Sequence, residues 1–399
     1  MLGYVKLCVL LAKMAGVYTY LIVLVSGEKT TVIMIETKLN GGILVKRLLK
    51  WIAIVVGAVV LVAGGYLIYL FTTYYRLPDN QALKVKNQQD AQFKPGQTYT
   101  AMTYNIGYGS YPPSYSFFMD GGKYSRAYSQ QAVRKSINGV IKTTQAQNPD
   151  IAFYQEIDPD GDRSRHVNEV NMVTQAQKQY ANVYGQNYDS AYLFYPFTQP
   201  IGKAKSGILT LSKAKVDSSR RYSLPVDTDF NKIIDLDRAF TATKTTVANG
   251  KQFIMVNIHM SAFTPNVKVQ QAQFAKLFKY IDHAYKQGNY VMVAGDYNHR
   301  LLKNTAEIFH TKNLEETWTH LFPKSKLPTG FHIPTMGLAE AKVPSVRALD
   351  QPYRPGKSFV TLIDGYILSP NIKAESVHVV STGFQYSDHN PVVLKFQLQ

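Results

Sequence analysis

The stretch Tyr290-Val291-Met292-Val293-Ala294-Gly295-Asp296-Tyr297-Asn298-His299 passes without a break from an apolar run into a carboxylate, an amide and an imidazole. Ser387-Asp388-His389-Asn390-Pro391 does the reverse, its polar groups leading into the apolar run Val392–Gln397. Short apolar runs bounded by turn residues read as buried strands. Both polar clusters therefore fall at strand ends, where a packed domain gains nothing by collecting them.

Four more strand ends carry groups of the same kind. Asn105 closes Met102-Thr103-Tyr104-Asn105, Glu156 closes Tyr154-Gln155-Glu156, and His259 closes Val256-Asn257-Ile258-His259. Asp364 lies within Leu362-Ile363-Asp364-Gly365-Tyr366. Carboxylates suit a hard, oxygen-seeking cation, and an imidazole held by a carboxylate moves protons near neutral pH. With amides to hold oxygen anions, this is the equipment for cutting a phosphate ester. Singly, each residue has a plainer use: Asp296 and Asn298 can form an Asx-turn, and Asn105 or Asp364 can simply end a strand.

Periodicity between these points predicts strands at Tyr99–Ile106, Ile151–Gln155, Ala191–Tyr195, Gly207–Leu211, Arg238–Val247, Phe253–Ile258, Tyr290–Ala294, Val360–Leu368 and Val392–Gln397. Helices are predicted over Ala127–Gln147, Val167–Tyr184 and Asn266–Lys286. Many strands with a few long helices imply an α+β fold in which helices cover two packed sheets.

With all six stretches in this order, residues 98–399 resemble the endonuclease/exonuclease/phosphatase superfamily. That superfamily includes pancreatic-type deoxyribonucleases, abasic-site endonucleases, neutral sphingomyelinases and inositol polyphosphate 5-phosphatases. The resemblance implies a four-layer α/β/β/α sandwich with its site at one end of the two sheets. Mg²⁺ is the expected cofactor, with Mn²⁺ or Ca²⁺ as substitutes. Glu156 is the leading metal ligand, Asn105 orients it or binds through its amide oxygen, and Asp388 takes a second metal position or a supporting role. His389 oriented by Asp364 is the preferred general base, and Asp296 is its rival. Asn298 would hold a non-bridging oxygen, while a protonated His259 would stabilise the transition state or protonate the leaving oxygen. His299 reads as a bystander.

Substrate phosphate is expected at Arg163 and His166, which follow Glu156 by a short loop, and at Arg238 and Arg347. A solvated basic loop is the equal alternative for the first pair. The loop after Asn105 holds Tyr108, Tyr111, Tyr115, Phe117, Phe118, Tyr124 and Tyr128. It can wall a pocket, stack on a base, touch a membrane, or form a small apolar cluster of its own.

Charge narrows the partner class only loosely. The chain carries 44 Lys and Arg against 27 Asp and Glu, a formal net charge of +17. A basic body around an acidic centre suits a phosphate-ester substrate that is polyanionic: a nucleic acid, an anionic lipid headgroup or a wall polymer. The one cysteine, Cys8, excludes intramolecular disulfides and cysteine metal sites.

Trp51–Phe71 is uncharged and rich in Val, Ile, Leu and Ala, with Lys46, Arg47 and Lys50 before it. Its 21 residues reach roughly 31 Å as a helix, enough for a bilayer core. The positive-inside rule then puts residues 72–399 outside the cell, on a single-pass anchor, with a cleaved signal and secretion as the alternative. Residues 72–97 read as a polar tether of about 28 Å reach. Leu7–Val25 is also apolar but carries Lys13, which is costly in a bilayer. Residues 1–44 are therefore read as a doubtful leader, since Gly41-Gly42 can be encoded by a ribosome-binding sequence and Val45 by a GTG start. The expectation is a monomeric, membrane-anchored, metal-dependent phosphoesterase. An extracellular nuclease is the alternative, and a surface binding module on an inactive scaffold the more distant one.

Overall fold

The computed structural model describes residues 6–14, 17–26, 29–37, 42–228, 232, 236–262, 267–311 and 319–399. It divides into one unit ending at Tyr69 and a second comprising Leu70–Gln399.

In the first unit β1 (Lys6–Met14), β2 (Val17–Ser26) and β3 (Lys29–Thr37) form an antiparallel meander. Most of the apolar stretch Leu7–Val25 thus lies in the strands β1 and β2. Helix α1 (Gly42–Thr73) follows, and its segment Val45–Thr73 is long and apolar enough to cross a membrane. Most of its apolar side chains are exposed, Leu61 by 78% and Val62 by 74%, so no protein core accounts for them, while Leu70 is buried.

The second unit opens with the two-residue strands β4 (Gln81–Ala82) and β5 (Val85–Lys86). Then come β6 (Thr98–Asn105), α2 (Gln130–Gln147), β7 (Ile151–Gly161), α3 (Glu169–Ala176), β8 (Ala181–Asp189) and β9 (Ala204–Ser212). The next elements are β10 (Ser218–Ser223), β11 (Ala239–Thr246), β12 (Gln252–His259), α4 (Val267–Lys286) and β13 (Tyr290–Asp296). Four short strands follow: β14 (His299–Arg300), β15 (His320–Leu321), β16 (Val346–Arg347) and β17 (Val360–Thr361). The chain closes with β18 (Asp364–Leu368), β19 (Ile372–Val379) and β20 (Val392–Leu398).

Two mixed sheets result, ordered β19-β20-β6-β7-β9-β8-β5 and β18-β13-β12-β11-β10-β4. Strand alternation sorts their side chains. Met102, Tyr104, Ala152 and Tyr154 pack with Val133, Ile137 and Val140 of α2, whereas Ala101, Ile151 and Phe153 join the core shared with the other sheet. Phe274, Leu277 and Ile281 of α4 cover the outer face of the six-stranded sheet. This is the four-layer α/β/β/α sandwich expected.

The topology explains why the polar groups converge. Each sheet contains one parallel pair, β6 with β7 and β12 with β13, each joined through a crossover helix. Parallel strands end at the same edge, so Asn105 comes beside β7 near Glu156, and His259 comes opposite Asp296. Antiparallel neighbours begin at that edge: β18 with Asp364 opposite Asp296, and β20 just after Asp388-His389. A buried polar staple below the site joins the sheets. Asn257 Nδ2 donates to the carbonyls of Tyr154 and Leu209 at 3.2 and 3.1 Å, and Gln155 Nε2 donates to Asn257 Oδ1 at 2.8 Å. Replacing Asn257 by Ala strands these buried partners, so denaturant unfolding is expected to show a loss of about 2–3 kcal/mol.

Several expectations need correcting. Residues 72–97 are not a free tether, because β4 and β5 pair with β10 and β8 at the sheet edges. Arg76 Nε meets Asp237 Oδ1 at 2.8 Å, and Lys276 Nζ meets Asp79 Oδ2 at 2.6 Å. Sheet edges offer backbone partners that polar composition does not reveal. Val167–Tyr184 is also not one helix, since α3 stops at Ala176 and β8 begins at Ala181. Ala191–Tyr195 lies in the loop after β8, outside any strand of either sheet.

Candidate active site

Asn105, Glu156, His259, Asp296, Asn298, Asp364, Asp388 and His389 meet at one end of the sandwich. Local backbone geometry aims several of them. β7 does not stop at Glu156; it bulges between Tyr154 and Ile157, and Glu156 sits at φ 54°. A bulge re-aims one side chain, here the carboxylate, while the strand continues. Gly295 is required because a Cβ there would strike the carbonyl oxygen of Ile258 on β12. Any larger residue would prise apart the parallel pair that brings His259 to Asp296.

Hydrogen bonds lock the centre. Asn105 Nδ2 donates to Asp296 Oδ2 at 3.0 Å across the sheets, and Asp296 Oδ1 accepts the Asn298 amide at 2.8 Å. Asn298 Nδ2 is turned to the Met260 carbonyl at 2.8 Å. His389 Nδ1 lies 2.9 Å from Asp364 Oδ2, which also accepts the Ser345 hydroxyl at 2.7 Å. The other end of the imidazole, Nε2, is 3.8 Å from Asp296 Oδ2. His259 Nε2 stands 3.6 Å from Glu156 Oε1 and 3.7 Å from Asp296 Oδ2.

Charge is unevenly balanced in this pocket. Burial first, then Asp388, pushes Glu156 up to about 7; burial and Asp364, directly opposite across the strand pair, do the same to Asp296. For His389 burial works downward, but Asp364, Asp388 and Asp296 outweigh it and carry it up to about 10. His259 goes the other way: burial, with Arg238, His389 and Arg163 nearby, holds it well below its ordinary value. The protonated His259 expected from the sequence is therefore disfavoured. His389 holds the proton instead, and Asp296, like Glu156, is poised to change state near neutrality.

Four carboxylates around one cationic imidazole fit a hard divalent cation by the chemistry of the donors. Asp364 Oδ1 adds to this, being buried with no hydrogen-bond partner. Asp296, Asp364 and His389 offer ligand atoms within 4.8 Å of one another. Yet Asp364 Oδ2 already serves His389 and Ser345, so a cation held by all three would compete with that pairing. Glu156 with Asn105 and Asp388 leaves the His389–Asp364 pairing intact, though Asn105 Oδ1 accepts the Gly107 amide at 3.0 Å and Asp388 Oδ1 the Ser387 hydroxyl at 3.2 Å.

The predicted phosphate-binding residues fare differently. Arg163 is nearest the centre, but its Nε and Nη2 grip Asp158 at 3.1 and 3.0 Å and it stacks 3.3 Å over the Tyr108 ring. Arg238 Nη1 donates to the Met260 carbonyl at 2.9 Å, beside Asn298 and His259. His166 is exposed and pairs with Asp160 at 2.8 Å, away from the cluster. Arg347 is fully buried, and its two Nη atoms serve the carbonyls of Tyr111, Pro112, Tyr115 and Ala348. Only its buried Nε is left without a partner, so both Nη groups are spent on the protein. Arg347→Ala is expected to lower stability by on the order of 3 kcal/mol in urea unfolding; a raised KM in a normally stable protein would contradict this.

Sequence reading missed two serines. Ser345 anchors Asp364, and Ser387 donates to the Asn105 carbonyl at 2.9 Å while accepting the His389 amide at 3.1 Å. Their only signal was position: Ser387 immediately precedes Asp388, and Ser345 stands two residues before Arg347. The aromatic loop divides: Tyr108, Tyr111 and Tyr115 form a buried cluster with Leu349, as the plainer reading had it. His299 is likewise a bystander, bonded to the Tyr297 carbonyl at 2.8 Å and packed on Phe274.

Residues 129–330 match the model of endonuclease/exonuclease/phosphatase family 2. Among solved structures, an endonuclease/exonuclease/phosphatase from Beutenbergia cavernae superposes with a TM-score of 0.51 at 14% identity, covering 76% of this chain and 72% of its own. TDP2 from Caenorhabditis elegans gives 0.47 at 16% identity, covering 76% of this chain and 75% of its own. At such identities the likeness speaks for the fold alone. No curated protein matches the sequence.

Proposed function

The chain belongs to the endonuclease/exonuclease/phosphatase family, and on that premise we propose that it hydrolyses a phosphate ester with a divalent metal ion, Mg²⁺ foremost. One observation carries the reading: three buried carboxylates and the partly buried Glu156 share a pocket with a carboxylate-held imidazole at the edge where both sheets end. Residues retained only for packing would not keep Asp296 opposite Asp364, a pairing that burial makes costly.

In the proposed mechanism Glu156, with Asn105 and Asp388, holds the cation. Bound there, it would draw charge from the phosphate oxygens and the leaving group. Asp296 takes the proton of the attacking water, its raised pKa matching that task near neutral pH. His389, kept protonated and oriented by Asp364 and Ser345, donates to a phosphate oxygen as charge grows there. Asn298 and neutral His259 line the same oxygens. This exchanges the roles first preferred for His389 and Asp296, because the surrounding carboxylates make imidazole the proton-bearing partner.

α1 is proposed as a membrane anchor with residues 76–399 on the outer face, on the strength of its length, its apolar surface and the basic residues before it. The substrate is then a membrane-proximal ester, with a nucleic acid as the rival. Purified full-length protein in detergent, offered DNA, phospholipids, inositol phosphates and a teichoic-acid-like polymer with Mg²⁺, should turn over at least one, and EDTA should stop it. Metal-replete protein that cleaves none of them would leave only the binding-module reading.

A further inference from the structure

Exposed aromatic and sulfur-bearing side chains gather on two loops at the site's own end of the sandwich. β9 is antiparallel to β7 and β8 to β9, so the loop 190–203 between them leaves from the edge where Glu156 emerges. The loop after Asn105 leaves from that edge too. Ser125 donates to the Gln199 carbonyl and Arg126 to that of Pro200, binding the two loops together. Arg126 also meets Asp162 at 3.2 Å, beside Arg163.

The surface of this double loop is unlike the buried tyrosines beneath it. Phe197 is 84% exposed, Met119 64% and Tyr195 63%. Phe118, Tyr195 and Phe197 form a connected ridge, for Phe118 lies 5.8 Å from Tyr195, and Tyr195 lies 5.9 Å from Phe197, ring to ring; Met119 follows Phe118 in the chain. A soluble surface has no use for several large apolar side chains side by side. Lys123 and Lys203, both exposed, flank the ridge, while Asp162 and Asp189 nearby are paired with Arg126 and Lys205. Aromatic rings with basic neighbours are the chemistry of the bilayer interface, where rings sit at headgroup depth and lysines meet anionic lipid.

We propose that this ridge, Met119, Phe118, Tyr195 and Phe197, docks into the headgroup layer of a lipid bilayer and presents the site to phosphate esters of membrane lipids. The inference rests on the phosphoesterase reading for its substrate, but the docking stands on the surface alone. A bilayer is the favoured occupant because the same chain carries a helix fit to cross one, and because the exposed Lys123 and Lys203 flank the ridge, with Asp120 the half-buried acid beside Met119. Single-stranded nucleic acid, which also stacks on exposed rings, is the competing outcome.

The test uses the full chain reconstituted into vesicles of phosphatidylcholine and phosphatidylglycerol. Phe197→Trp adds a third tryptophan to Trp51 and Trp318; Gln175→Trp, on exposed α3, is the control. With brominated lipid the added emission at 197 is expected to fall about twofold and that at 175 to stay unchanged. Equal responses at the two positions would overturn the docking. Separately, the triple variant Met119→Ser, Tyr195→Ser, Phe197→Ser should cut hydrolysis of vesicle-borne phospholipid roughly tenfold. Its turnover of a soluble phosphodiester should stay within about twofold, which also reports that it folds. Loss of single-stranded DNA cleavage in place of lipid cleavage would overturn the lipid assignment. Quenching at 197 in a protein that cleaves no ester would sink the phosphoesterase reading while leaving the docking intact.

Discussion

His389→Ala is expected to lower kcat by on the order of a thousandfold, about 4 kcal/mol of transition-state stabilisation. Burial and its neighbours leave the imidazole cationic, held at 2.9 Å by Asp364, whereas the guanidinium of Arg163 is spent on Asp158. Without the imidazole, charge growing on a phosphate oxygen is left to the cation, Asn298 and a neutral His259. Asp296→Asn should be comparably severe, since the amide oxygen can still accept from Asn105 Nδ2 or from the Asn298 backbone N–H but cannot take a proton. Because the two act on the same step, the double variant should lose far less than the product of the single losses. Full additivity, or near-normal turnover by either single variant, would remove the assigned role. Both proteins should unfold cooperatively in urea, which separates lost chemistry from lost fold.

How far the residues alone could reach depended on whether a signal was local. The apolar runs at 253–258 and 290–294 and the polar residues that end them are contiguous, so the βαβ unit and the positions of His259 and Asp296 could be read directly. The same holds for Asn105 and Asp364. The bulge at Glu156 could not be read, because a left-handed residue inside a strand leaves no pattern in composition. Edge pairing by β4 and β5 was invisible for a similar reason: backbone groups make it, and the side chains there are polar as in any coil.

The arginines show a different limit. Arg163 follows β7, Arg238 precedes β11 and Arg347 lies in β16, and charge alone made them candidates for phosphate. Only the packed structure reveals that Asp158 claims Arg163 and that four carbonyls claim Arg347. Burial of a guanidinium is tolerable only when its donors are met, so a buried arginine is already employed. Ser345 makes the converse point. Its hydroxyl serves the Asp364 carboxylate and the Ile363 amide at 2.7 and 3.0 Å, yet a lone serine before a valine announces nothing.

Metal removal tests the remaining role. EDTA is expected to abolish turnover, and Mg²⁺ to restore it, since neither His389 nor Asn298 can neutralise a phosphate among four carboxylates. Glu156→Gln sharpens this into a residue-level test. The amide matches the carboxylate in size but offers the cation a weaker, uncharged donor, so the Mg²⁺ concentration for half-maximal rate should rise by roughly ten- to a hundredfold. At saturating Mg²⁺ the rate should recover in part, because Asp296 and His389 are untouched. An unchanged Mg²⁺ requirement with a lower maximal rate would move the cation to Asp296, Asp364 and His389, the trio whose ligand atoms already lie within 4.8 Å. In that case Asp364→Asn should raise the requirement instead. The carboxylate whose loss weakens the ion is the one that holds it, and Glu156, re-aimed by its bulge and pushed up by burial and Asp388, is where that loss is expected.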